Sequence, residues 1–260
     1  KQLADDRYRF VSIPEIEVAS VVLSPDSGEI LALVGGFDFN RSQYNLITQA
    51  HRQPGSLMKP FIYASALEHG YTLASLVDDS PLVVDGKDAW RPKNAGVRFL
   101  GPVRLRWALM SSLNLATIRL VNELGLDHVR PYMTKFGFHL EDMPDYLSLS
   151  LGTNTSTPLD LARAYAVFAN GGYLVDPYVI SRIELESGSI VDERQPSALR
   201  EVIDEELAFM INDVLRDATV RGSSKQIKSL GRVDLSGKTG STNEDVWFCG
   251  YNRHLVSLLW

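Results

Sequence analysis

Three short stretches of this 260-residue sequence set hydroxyls, amines and amides at spacings suited to acyl transfer. Ser56-Leu57-Met58-Lys59 puts a hydroxyl and an amine at i and i+3, one turn apart on the same face of a helix. A neutral Lys59 there can take the Ser56 proton, and serine becomes a useful nucleophile only with such a base beside it. Ser112-Leu113-Asn114 supplies a second hydroxyl and an amide that both donates and accepts. Lys238-Thr239-Gly240-Ser241 combines a cation, two hydroxyls and a glycine. Lys238 can attract an anion, Thr239 and Ser241 can hydrogen-bond a carboxylate, and Gly240 lets a ligand approach the backbone. Taken singly, each stretch has a plainer explanation: a capping serine before a surface lysine, a turn serine, a polar turn.

Other chemistries fit the residues poorly. Gly231 and Gly237 ahead of Lys238-Thr239 imitate a phosphate-binding loop, but five residues separate the two glycines where that motif has four. Such a loop also opens a helix, whereas the residues from Asp245 to Tyr251 read as a strand. The histidines, His51, His69, His128, His139 and His254, form no i,i+4 pair and no H-E-x-x-H, so no metal site is expected and all five read as surface or capping residues. His51 lies just ahead of Ser56, but the G-x-S-x-G elbow is missing. A net charge of −6, without a basic run, excludes nucleic acid as a partner. Cys249, the single cysteine, has no partner for a disulfide. No apolar run approaches the ~18 residues of a membrane span. The start, Lys1-Gln2-Leu3-Ala4, is neither a Met start nor a signal peptide, so the chain reads as a processed product or an excised piece, and any anchor or targeting segment is expected outside it.

The elements that must position these residues follow from hydrophobic pattern and turn chemistry. Glu17 to Leu23 and Ile30 to Val34 flank a Ser-Pro-Asp-Ser-Gly turn and predict a β-hairpin. A helix is expected from Ser56 to Glu68, with Ser56 in its first turn because Pro60 has no N–H to give to the Ser56 carbonyl. Two short helices should meet at Ser111-Ser112 between Val103 and Leu124, and another should span His128 to Phe136. Thr157-Pro158 opens a helix that stops at Asn170-Gly171-Gly172. A strand from Tyr178 to Leu185, a helix from Glu205 to Ala218, and strands at Val246 to Tyr251 and Leu255 to Trp260 complete the pattern. Strands at both ends with helices between them predict a mixed α/β domain: a sheet built from the termini and a helical insertion.

In this order, S-x-x-K, S-x-N and K-T-G resemble the penicillin-recognising serine acyltransferases. Further segments resemble the transpeptidase domain of class A penicillin-binding proteins: Gln53-Pro54-Gly55-Ser56 with Lys59-Pro60-Phe61, Gly101-Pro102-Val103, Thr157-Pro158-Leu159, Phe168-Ala169-Asn170-Gly171-Gly172, and Trp247-Phe248 with Gly250-Tyr251. The resemblance implies a five-stranded antiparallel sheet flanked by helices, plus a helical subdomain with the serine between them. It implies a linker over residues 1–16 and a transpeptidase domain over residues 17–260, lacking a C-terminal strand and helix. It further implies that Ser56 attacks the D-Ala-D-Ala end of a peptidoglycan stem peptide and that Lys59 is the base. Ser112 and Lys238 assist, Asn114 holds the substrate amide, and Thr239, Gly240 and Ser241 bind the substrate end. The backbone N–H groups of Ser56 and Ser241 form the oxyanion hole, and β-lactams acylate the same serine. No cofactor is implied. The implied setting is extracytoplasmic, on the periplasmic face of the bacterial inner membrane, with a glycosyltransferase domain elsewhere in the protein. A DD-carboxypeptidase, a β-lactamase of the same fold and a non-catalytic β-lactam sensor are the alternatives. The sequence departs from the family where Asn94-Ala95-Gly96 replaces the usual Asn-Tyr-Asp and where Ser241 stands in place of the commoner Thr; against the β-lactamase alternative, Leu151-Gly152-Thr153-Asn154 offers no E-x-x-x-N.

Overall fold

A computed structural model describes residues 15–84, 90–96, 98–195 and 199–260, so the expected linker lies outside the described residues except for Glu15 and Ile16. The predicted hairpin forms from β1 (Ser20–Leu23) and β2 (Ile30–Val34). The C-terminal part adds an antiparallel meander of β3 (Ser236–Ser241), β4 (Val246–Tyr251) and β5 (Val256–Leu259). The strand order is β2-β1-β5-β4-β3, so both ends of the chain share one sheet. The expected missing strand is corrected here. β5 pairs with β1 on one side and β4 on the other, all five strands are present, and the edges are β2 and β3.

Alternation decides which sheet face is covered. Val21, Leu23, Trp247, Cys249, Tyr251, Val256 and Leu258 are buried, every second residue of their strands. That face meets α5 (Pro158–Ala169) and α6 (Glu205–Val220). Thr157 caps α5 by accepting from the Asp160 N–H, and Asp204 caps α6 by accepting from the Leu207 N–H. The central helix α1 (Lys59–Glu68) is buried on all sides up to Leu67, as its almost unbroken apolar sequence requires. Phe61 on it stacks with or abuts Phe136, Phe138, Tyr165 and Phe168, with ring centroids at 5.0, 5.1, 5.3 and 5.2 Å.

The helical layer beside α1 contains α2 (Leu105–Met110), α3 (Asn114–Leu124) and α4 (Leu126–Thr134). The predicted break falls at Ser111–Leu113. α4 begins two residues earlier than expected, because Gly125 redirects the chain directly after α3. The strand predicted from Tyr178 to Leu185 shrinks to Arg182–Glu184, which pairs only with Ile190–Glu193 in an exposed hairpin, while Tyr178 bridges to Glu29. Its contact with the main sheet is made at Tyr178, whose carbonyl accepts from the Ile30 N–H of β2 at 2.8 Å. Among the described residues no helix is long and apolar enough to cross a membrane.

Candidate active site

Ser56 lies in a 3₁₀ turn, Gly55–Met58, and α1 starts only at Lys59, which corrects the expectation of an α-helical first turn. Pro60 is the cause. It cannot donate to the Ser56 carbonyl, so the Lys59 N–H closes a tighter i→i+3 bond to that carbonyl. The turn packs directly on β3. Gly55 holds φ +57°, and a Cβ on it would lie 2.6 Å from the Ser241 carbonyl oxygen. A Cβ on Gly240 would lie 2.4 Å from the Pro54 oxygen and 2.8 Å from Leu57 Cγ. The glycine of K-T-G thus has a packing reason different from the expected ligand approach: it lets the serine turn sit against the strand. Behind the turn, the Gly55 N–H donates to the Gly152 carbonyl at 3.2 Å.

The two lysines converge on Ser112. Lys59 Nζ donates to the Ser112 carbonyl and to Asn114 Oδ1, both at 2.7 Å, and lies 3.4 Å from Ser112 Oγ. Lys238 Nζ donates to Ser112 Oγ at 2.9 Å and to the Thr239 carbonyl at 2.8 Å. Ser112 reaches this position with φ +58°, the only left-handed non-glycine backbone among the described residues. Ser56 is half-buried at the cleft surface, and no hydrogen bond joins its hydroxyl to Lys59 among the described residues. Serine and lysine are nevertheless three residues apart on the same turn, and catalytic hydrogen bonds often tighten only with substrate bound.

Burial of both amines sets their protonation. Lys59 and Lys238 are each 0% exposed. Burial holds Lys59 well below the ordinary lysine range, nearby Lys238 adds to the effect, and Asp79 opposes it. Burial alone lowers Lys238 to about 7. A neutral amine has two N–H bonds and one lone pair. The two 2.7 Å acceptors of Lys59 use both N–H bonds and leave the lone pair for a proton.

Thr239 and Ser241 share one face of the edge strand, opposite Lys238 and Gly240. Ser241 is exposed and Thr239 half-buried, and Thr239 also borders an apolar groove on the outer sheet face beside Trp247, Phe248 and Trp260. The structure therefore joins Lys59, Ser112, Asn114 and Lys238 in one hydrogen-bonded cluster beside the Ser56 turn, which packs on Gly240, with Thr239 and Ser241 on the same edge strand. His128 departs from expectation: it is half-buried with its ring 4.6 Å from that of His69, away from the cleft.

Sequence reasoning missed four supporting residues. Arg52 Nε and Nη2 donate to the two carboxylate oxygens of Asp245 at 3.1 Å each, and Trp260 Nε1 donates to the same carboxylate at 2.9 Å. This ties the segment before Ser56 to the β3–β4 turn. Asp79, 0% exposed, accepts from the Asn94 amide at 2.9 Å. Both acidic residues sit beside a second acid in the sequence, Glu244-Asp245 and Asp78-Asp79, and look like solvated pairs. For Asn94 the signal was present, as the retained residue of an altered segment.

An antiparallel five-stranded sheet with a helical layer, and a serine, two buried lysines and a bridging serine between them, is an arrangement like that of the penicillin-recognising serine acyltransferases. The penicillin binding protein transpeptidase domain family matches residues 18–254, and the chain belongs to that family. It is 40% identical over 310 aligned residues to penicillin-binding protein 1A of Pseudomonas aeruginosa, which covers 98% of the chain and 38% of the relative. It is 39% identical to penicillin-binding protein 1A of Neisseria lactamica, over 98% of the chain and 33% of the relative. The crystal structure of penicillin-binding protein 1A from Haemophilus influenzae superposes with a TM-score of 0.92 at 35% identity, covering 99% of this chain and 45% of that one. PonA1 from Mycobacterium tuberculosis, solved in complex with penicillin V, gives a TM-score of 0.79 at 26% identity over 94% of this chain and 68% of that one. The chain thus spans about a third of the curated relatives' length.

Proposed function

We propose that this domain is a peptidoglycan DD-transpeptidase that works through an acyl-enzyme on Ser56 and is blocked when β-lactams acylate the same hydroxyl. The observation that carries the reading is the convergence on Ser112 of buried Lys238 and buried Lys59, the latter three residues after Ser56. The Lys59 lone pair takes the Ser56 proton as Oγ bonds to the penultimate D-Ala carbonyl carbon. The Ser56 and Ser241 N–H groups receive the negative charge that develops on the carbonyl oxygen. The carbon–nitrogen bond then breaks, and the proton passes from Lys59 by way of Ser112 Oγ to the departing D-Ala amine. An incoming stem-peptide amine reverses these steps, leaving a cross-link and free Ser56. Asn114 holds the donor amide. Ser241 and Thr239 receive the terminal carboxylate along the open edge of β3, within the field of Lys238.

The segment Leu147–Asn154 that backs the Ser56 turn carries no acidic side chain to activate a hydrolytic water, which favours a persistent acyl-enzyme over β-lactamase turnover. The reading places the domain outside the cytoplasm, where cross-linking takes place, within a longer protein that bears a glycosyltransferase domain and an anchor. The test supplies a blocked peptide ending in D-Ala-D-Ala together with a D-amino acid as acceptor. Release of one D-Ala per exchanged peptide, abolished in Ser56→Ala, is expected. Release to water alone would make the domain a carboxypeptidase, and release unaffected by Ser56→Ala would overturn the serine assignment.

A further inference from the structure

Asp79 and Asn94 stand outside the three motifs, yet they connect to the Lys59 amine through an unbroken chain of hydrogen bonds. Asp79 follows the short strand Leu76–Asp78, is fully buried, and has its N–H bonded to the Gly101 carbonyl at 2.8 Å. Both its carboxylate oxygens accept from Asn94 Nδ2 at 2.9 Å, and one also accepts from the Leu100 N–H at 3.3 Å. Because the amide nitrogen is committed to the carboxylate, the Asn94 oxygen must face the other way. There it accepts from the Asn114 N–H at 2.8 Å and the Leu115 N–H at 3.3 Å.

Those N–H groups open α3. A helix start leaves its first N–H groups without intrahelical partners, and the residue at the capping position is Leu113, which has no side-chain acceptor. Asn94 therefore caps α3 from a distant loop. Asn114, the first residue of the helix, is held at both ends: its N–H by Asn94 and its Nδ2 by the Lys93 carbonyl at 2.8 Å. The remaining polar atom of its side chain, Oδ1, is the one that accepts from Lys59 Nζ.

We propose that Asp79 and Asn94 are positioning residues for acyl transfer: the Asp79 carboxylate orients the Asn94 amide, which fixes Asn114 and through it the Lys59 amine. This rests on Lys59 being the base for Ser56. Asp79 has a second consequence, through its charge. The charged and titratable groups facing Lys59 are Lys238 from β3, Asp79 from the loop after Val77-Asp78, and Tyr63 one turn further along α1, with neutral Ser112 and Asn114 completing the surroundings. Asp79 is the negative charge in that set and favours the protonated amine. Removing it frees Lys59 from its proton at a lower pH.

The experiment measures the second-order rate of acylation by benzylpenicillin against pH, with thermal melting in parallel, for the 260-residue chain, Asp79→Asn, Asn94→Ala and the exchange Asp79→Asn/Asn94→Asp. Asp79→Asn is expected to move the acidic limb to lower pH by about one unit. Asn94→Ala is expected to lower the plateau rate by at least about tenfold through misplacement of Asn114 and Lys59. The exchange restores a carboxylate–amide pair, with the acid now at the helix N-terminus where its charge is favoured, so it should recover the plateau and return the limb upward. It also covers the case in which a single variant fails to fold. An unmoved limb in folded Asp79→Asn, or a plateau in folded Asn94→Ala equal to the parent, overturns the proposal. Failure of the underlying reading looks different: acylation would then survive Lys59→Ala.

Discussion

Replacing Gly240 by alanine tests the contact between the serine turn and the edge strand. The added methyl would stand 2.4 Å from the Pro54 oxygen, 2.8 Å from Leu57 Cγ and 3.2 Å from Trp247 Cβ. An ordinary carbon–oxygen contact needs about 3.3 Å, so Pro54 or the strand must give way by about 0.9 Å. Neither can move freely. Trp247 Nε1 holds the Gln53 carbonyl at 3.0 Å, the Arg52–Asp245 pair holds the residue before it, and Leu57 is fully buried. Overpacking of this kind costs about 2 kcal/mol, which for a 260-residue chain lowers the melting temperature by about 4 °C. The effect on chemistry should be larger. A displacement near 1 Å between Ser56 and the Lys238–Ser241 strand is worth about a hundredfold in acylation rate. Stopped-flow acylation by a fluorescent penicillin, with melting followed by circular dichroism, reads both quantities. A variant that melts with the parent and acylates within about twofold of it would refute the packing argument.

Asp245→Asn should keep the shape of the Arg52 clamp but set an amide N–H against the Arg52 or Trp260 N–H it replaces as acceptor. Asp245 is nearly buried and Arg52 is 37% exposed, so the loss should be about 2 kcal/mol, visible as a fall of about 4 °C in melting temperature. An unchanged melt would show that the clamp contributes nothing. Lys238 titrates at about 7 in the free protein, and a bound carboxylate favours its charged form. Binding of a D-Ala-D-Ala peptide to Ser56→Ala near pH 8 should therefore take up a proton, and affinity should fall as pH rises above that value. Calorimetry in buffers of different ionisation enthalpy measures the uptake; identical heats would contradict it.

The elements with local signals were legible in the sequence. Thr157-Pro158 announced α5 by a cap and a helix-compatible proline, and the hairpin turn announced β1 and β2. The cleft was legible as three motifs because S-x-x-K, S-x-N and K-T-G each carry their own spacing. Long-range partnerships were not. Arg52 and Asp245 are 193 positions apart, and neither shows a pattern that names the other. Asn94 acts as a cap for a helix 20 residues away, while the capping position itself holds a leucine. The constraint on the turn at Ser56 is local, in the missing N–H of Pro60, while the packing of that turn on Gly240 joins residues far apart in the chain. The continuous five-stranded sheet depends on β5 inserting between β1 and β4, a pairing that hydrophobic alternation permits without specifying.

Intact mass spectrometry after mixing with benzylpenicillin, followed by peptide mapping, addresses the central claim most directly. The account predicts one adduct, on the peptide that begins at Gln53 and contains Ser56, persisting for hours and absent from Ser56→Ala. An adduct on another residue, an adduct retained in Ser56→Ala, rapid clearance with drug hydrolysis, or no adduct on a folded sample would contradict it.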